Sequence, residues 1–142
     1  EVGRGPDGRR SWTERALVNL DLGYAGTADL LIQHPVHGLT LVDLKTQGVK
    51  VLADGHQAKP TAYKSWCYQL AAYRCALGQR VACLNLIINS REPAAPVEHL
   101  WTEEEIQLGW LAFQSAQTLW RIEKNYDPRQ HGTQPPQSAF AA

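Results

Sequence analysis

Leu39-Thr40-Leu41-Val42-Asp43-Leu44-Lys45 is the stretch that decides the fold. It reads as a β-strand, and because strand side chains alternate with period two, Asp43 and Lys45 share one face while Leu44 takes the other. The preceding run from Tyr24 to Gln33 is also strand-like, and Pro35-Val36-His37-Gly38 between them carries turn-forming residues. A hairpin centred near Val36 sets Asp29 directly opposite Asp43.

Opposed residues on antiparallel strands hold their Cβ atoms about 4.5–5.5 Å apart, so two carboxylates there repel unless a positive charge offsets them. A divalent cation would do so, and carboxylate oxygens are the hard ligands that Mg²⁺ or Mn²⁺ takes. The Leu44 carbonyl, between the two side chains, is a further candidate metal ligand. Lys45 points the same way as Asp43, where its ammonium could stabilise charge developing on a phosphate or orient an attacking water. A third element follows from Thr61 to Leu77. There the apolar spacing of Trp66, Leu70, Tyr73 and Leu77 predicts a helix stopped by Gly78. Gln69 and Tyr73 are four apart and lie one above the other on it.

The ordered trio of Gly26 with Asp29, Asp43 with Lys45, and Gln69 with Tyr73 resembles the RecB-like branch of the PD-(D/E)XK nuclease superfamily over roughly Glu14 to Asp127. Phrases such as Gly-Tyr-Ala-Gly-Thr-Ala-Asp and Gln-Leu-Ala-Ala-Tyr-Arg look most like phage-type and mitochondrial genome maintenance exonucleases. The resemblance implies that Asp29 and Asp43 bind metal, that Lys45 is the catalytic lysine, and that Gln69 and Tyr73 support the site and its DNA. It implies linear, end-bearing DNA as substrate and Mg²⁺ or Mn²⁺ as cofactor, in the cytoplasm of a bacterium or phage-infected cell. Members of the family often add a histidine or glutamate from an upstream helix; here Glu14 is the nearby acidic substitute. The chain begins at Glu1 and has no methionine, which reads as a fragment, a trimmed product or a minimal version.

The 142 residues suit one domain with a single core. No apolar run approaches membrane-spanning length, and no signal-peptide pattern opens the chain. Cys67, Cys75 and Cys83 lack the spacing of a disulfide framework, a zinc site or a four-cysteine cluster, and read as reduced thiols. The 14 basic and 14 acidic residues cancel, so global charge gives no argument for nucleic acid. Distribution does: Lys45, Lys50, Lys59, Lys64, Arg74, Arg80 and Arg91 face Asp54 alone between Leu44 and Arg91, and could steer a phosphate backbone. His34 and His37 offer two imidazoles but fall in the hairpin loop, where metal binding is the minor reading; His56, in the loop before the helix, reads as a surface residue ahead of one that reaches the site or a DNA end. No serine nucleophile elbow or phosphate-binding glycine loop is present.

The remaining elements complete an α/β fold. Residues 1–13 form an irregular segment, and strands follow near Ala16 to Asp21, Tyr24 to Gln33 and Leu39 to Thr46. After the Gln69 helix come an apolar strand from Val81 to Asn89 and a shorter one from Val97 to Trp101. Thr102-Glu103-Glu104-Glu105 reads as a capping box opening a helix towards Lys124, with Ile106, Trp110, Phe113 and Trp120 as its core stripe. Residues 14–127 form the core domain; residues 128–142, rich in Gln, Pro, Ser and Ala, read as a disordered or linker tail. The expected architecture is a small mixed central sheet flanked by helices, compatible with the restriction-endonuclease-like core of the family it resembles. The expected function is a metal-dependent DNA exonuclease. The alternatives are a DNA-binding or assembly module that keeps the fold without a working site and, more weakly, an RNA phosphodiesterase. Oligomeric state is open.

Overall fold

Residues 11–130 are described by the computed structural model. Its elements run β1 (Trp12–Asn19), β2 (Tyr24–His34), β3 (Gly38–Gln47), α1 (Lys64–Leu77), β4 (Ala82–Asn89), β5 (Val97–Trp101) and α2 (Glu103–Lys124), followed by a 3₁₀ turn at Pro128–Gln130. The strands form one sheet in the order β1-β2-β3-β4-β5. β3 and β4 are parallel and every other neighbouring pair is antiparallel. A parallel pair cannot be closed by a tight turn. The chain between β3 and β4 supplies α1, which packs on the sheet through Cys67, Leu70 and Ala71 beside Leu31, Leu41 and Cys83. This is the mixed α/β architecture expected.

The β2–β3 hairpin has the inferred register: Leu30 pairs with Val42, Leu31 with Leu41 and His34 with Gly38. α2 opens with the expected capping box, Thr102 taking the Glu105 amide and Glu105 reaching back to the Thr102 amide. Gly78 ends α1 in the left-handed conformation at φ 68°, its N–H bonded to the Arg74 and Cys75 carbonyls.

Three boundaries differ from expectation, each for a physical reason. β1 starts at Trp12, and both Trp12 and Leu17 are buried although five residues separate them. Glu14, at φ 46°, kinks the strand and resets its alternation, which hides it from a period-two reading. The core therefore begins before residue 14. α1 starts at Lys64 rather than Thr61, because the Gln47 side chain holds both backbone groups of Thr61, accepting from its N–H at 2.7 Å and donating to its carbonyl at 3.1 Å. In the expected tail, Pro128–Gln130 is an ordered turn whose Arg129 side chain is paired with Asp127. Residues 1–10 and 131–142, the rest of the expected end segments, lie outside the described residues.

The α2 stripe also needs correction. Ile106 is buried, Trp110 and Phe113 pack around Tyr24, and Gly109 sits against Cys67 where the helices cross. Trp120 is not core: it is 45% exposed and meets Tyr126 edge-on. At that end the inward face is polar instead, with Gln117 and Arg121 both donating to the Leu22 carbonyl.

Candidate active site

The sheet and α1 link Asp43, Lys45, Gln69 and Tyr73 in one group, and Asp29 bonds the backbone amide of the intervening Leu44. The β2–β3 ladder ends at Leu30 and Val42, and the next residues in register are Asp29 and Asp43. Asp29 turns its carboxylate onto β3, where Oδ2 accepts the Leu44 amide proton at 2.7 Å. Asp43 is only 4% exposed, and its Oδ2 lies 2.8 Å from Lys45 Nζ. The same ammonium donates to Gln69 Oε1 at 2.8 Å, and Gln69 Nε2 donates to the Tyr73 hydroxyl oxygen at 3.0 Å. A continuous polar chain therefore runs from β3 across to α1. Lys45 also lies over the Trp66 ring, 5.9 Å from its centre.

Gly26 explains the spacing of its motif. A Cβ there would stand 2.7 Å from Tyr73 Cε1, so the tyrosine ring occupies the space a side chain would need. Gly26 thus admits Tyr73 against β2, while Asp29 further along the strand bonds the Leu44 amide of β3.

Burial pushes the Asp43 carboxyl above its ordinary value; Lys45 pulls it back, and the nearby Asp29 charge pushes it up again. Carboxylates are hard oxygen donors of the kind that Mg²⁺ or Mn²⁺ binds, so Asp29 and Asp43 are the residues that could hold such an ion. Glu14 is opposite Asp29 in the β1–β2 register but does not complete a trio. Among the described residues, the group of three whose ligand atoms lie within 4.8 Å of one another is His34, His37 and Glu98.

That second cluster sits at the hairpin end of β2, and its spacing could hold a metal ion. As it stands it caps the turn. His34 Nδ1 accepts from the Val36 and His37 amides at 3.2 and 3.3 Å, which places the ring proton on Nε2 facing Glu98 Oε1 at 3.3 Å. The two imidazoles stack with centres 4.6 Å apart.

Part of the basic middle of the chain is committed to structure. Arg74 makes a two-pronged bond to Glu103 at 2.8 Å, Arg80 lies 3.6 Å from the same carboxylate, and Arg91 pairs with Glu92. Among the described residues Lys50, Lys59 and Lys64 are left without an ion pair. His56 is a surface residue beside Asp54. Lys50 and Lys59 ride on the loop between β3 and α1, which is pinned to the β4–β5 connection through Asn89, Gln57 and Glu92. Cys67 and Cys83 are buried thiols pushed up to about 11 and about 12 by desolvation, inert as nucleophiles.

Two residues of the group escaped the sequence reading, Asn85 and Trp101. Asn85 Nδ2 donates to Asp43 Oδ2 at 2.7 Å, and Trp101 Nε1 donates to Asn85 Oδ1 at 2.7 Å. The signal was an asparagine in the middle of an otherwise apolar strand.

No family model matches the chain, and no curated relative matches it. Among solved structures, it is similar to the crystal structure of a protein from Eubacterium rectale named putative exonuclease. The two share 11% identity at a TM-score of 0.53, over 87% of this chain and 53% of the other. The chain spans about half the length of that neighbour. At this identity the likeness establishes the fold alone, an α/β mixed sheet with helices.

Proposed function

We propose that the protein is a metal-dependent DNA nuclease of the PD-(D/E)XK type, RecB-like, acting as an exonuclease on linear DNA. The observation that carries this reading is the linked group of Asp43, Lys45, Gln69 and Tyr73, with Lys45 2.8 Å from both Asp43 and Gln69 and with Asp29 next to Asp43 in the strand register. The nuclease-like fold supports it.

In this reading Asp29 and Asp43, with the Leu44 carbonyl, would hold Mg²⁺ or Mn²⁺, which when bound would supply Lewis-acid polarisation of the scissile phosphate and a water of lowered pKa. Lys45 stabilises the negative charge that grows on the phosphate or orients the attacking water; its ammonium reaches the site from a strand and is steadied by Gln69 Oε1. Gln69 in turn fixes the Tyr73 hydroxyl, leaving the phenol proton to donate to a phosphate oxygen. Among the described residues Lys50, Lys59 and Lys64 have no ion pair, and their charge is offered to the DNA backbone.

The test is incubation of end-labelled linear DNA, closed circular DNA and RNA of matching sequence with the protein and Mn²⁺, beside Asp43→Asn and Lys45→Ala. Release of mononucleotides from linear DNA alone, lost in both variants, is the expected result. Retention of DNA without cleavage would replace the enzyme with a binding module, and cleavage of RNA alone would change the substrate.

A further inference from the structure

We propose that Asn85 and Trp101 are positioning residues for Asp43, locking one oxygen of its carboxylate so that the other is presented to a divalent cation. The proposal rests on the nuclease reading for its purpose, but not for its geometry.

Asn85 is fully buried in β4. The parallel register sets it directly beside Asp43 on the same face of the sheet. Its Nδ2 donates to Asp43 Oδ2 at 2.7 Å and to the Asp43 backbone carbonyl at 3.3 Å. A side-chain amide can turn over and exchange its oxygen for its nitrogen, and the reversed form would aim a carbonyl at the carboxylate. Trp101 prevents this. An indole N–H can only donate, so its 2.7 Å bond claims Asn85 Oδ1 and obliges Nδ2 to face Asp43. Trp101 is itself buried, packed edge-on by His99 with ring centres 4.3 Å apart. Lys45 also bonds Oδ2. Two donors from different strands therefore hold the same oxygen, which stops the carboxylate from rotating and leaves Oδ1 as the atom to offer. The arrangement gives Asp43 a neutral second support independent of Lys45.

The groups bearing on the Asp43 charge are Lys45 on its own strand, Asp29 on β2 and Asn85 on β4. Beyond Lys45, α1 presents the neutral Gln69 and Tyr73. Removing the Asn85 donor leaves Asp29 opposed by Lys45 alone.

The experiment uses the full chain as wild type, Asn85→Leu, Asn85→Asp and Trp101→Phe. It reads the Asp43 side-chain torsion from crystal structures, Mn²⁺ affinity by calorimetry, and Tm. In Asn85→Leu the carboxylate should leave its wild-type orientation and Mn²⁺ should bind about tenfold more weakly, the scale of a lost partner behind a metal ligand. Asn85→Asp, which keeps the Trp101 partner but faces Asp43 with a carboxylate, should turn the Asp43 carboxylate away; Trp101→Phe should weaken Mn²⁺ binding less, in the same direction. A lower Tm with the Asp43 orientation and Mn²⁺ affinity unchanged in Asn85→Leu would assign the residue to packing alone and overturn the proposal. Should Asn85→Leu fail to fold, Trp101→Phe decides by the same criterion. Wild-type protein that neither binds Mn²⁺ nor degrades DNA would sink the nuclease reading, while the Asp43 orientation in the variants would still decide the positioning role.

Discussion

Gly26 and Asp43 are the residues where the site and the stability of the molecule meet. At Gly26 the nearest Tyr73 carbon leaves 2.7 Å for an added Cβ, so Gly26→Ala forces the ring aside and breaks the Gln69–Tyr73 bond. Steady-state kinetics on linear DNA should find kcat lowered by about tenfold or more, the scale of a misplaced group near the chemistry. Asp43 carries a cost. Its carboxyl is raised by burial, so ionising it in the folded protein is harder than in the unfolded chain. The sign follows: the penalty is absent below the unfolded pKa of about 3.9, grows as pH rises through it, and is complete above the folded value. Asp43→Asn should abolish cleavage yet raise Tm at pH 7 by a few degrees, with no gain at pH 3. A calorimetric scan in which the variant is less stable than wild type at pH 7 would contradict this.

Between elements, the junction of α1 and α2 is held by the Arg74–Glu103 pair above the close crossing at Gly109. Arg74 bonds both Glu103 oxygens and pulls that carboxyl down to about 2. A depressed carboxylate stabilises above its unfolded pKa of about 4.3 and loses that contribution as pH falls towards 2. Glu103→Gln should therefore unfold at lower urea concentration than wild type at pH 7, the gap closing as pH falls from about 4 to 2. A gap independent of pH would mean that packing, not charge, joins the helices there. The same pair explains why a basic segment is a poor guide to a DNA surface, since Arg74 and Arg80 both turn to Glu103 at the start of α2.

Across the whole molecule, one side-chain contact spans the sheet: His34 on β2 and Glu98 on β5 are separated by two strands yet meet at 3.3 Å. Among the described residues no helix is long and apolar enough to cross a membrane. A ligand that binds only the folded form raises its stability, by about 2.7 kcal/mol at a hundredfold excess over Kd. Mn²⁺ should accordingly raise the Tm of wild type in a concentration-dependent way and leave Asp43→Asn nearly unmoved. An equal rise in both would point to His34, His37 and Glu98 as the metal-binding group instead.

Local features were legible in the sequence because local forces make them. Alternation fixed the face shared by Asp43 and Lys45, the turn residues fixed the hairpin register, and the Thr102 box and Gly78 fixed helix ends through hydrogen bonds within a few residues. Only the tertiary structure decided which distant groups would meet. Gln47 delays α1 by holding Thr61, Glu103 takes up two arginines, and polar ends at Gln117 and Arg121 leave Trp120 outside the core. Asn85 reaches Asp43 across 42 residues of chain because α1 returns β4 parallel to β3. Periodicity carries the direction of a side chain, not the identity of its neighbour on another strand; that neighbour is set by the crossover, which no local pattern encodes.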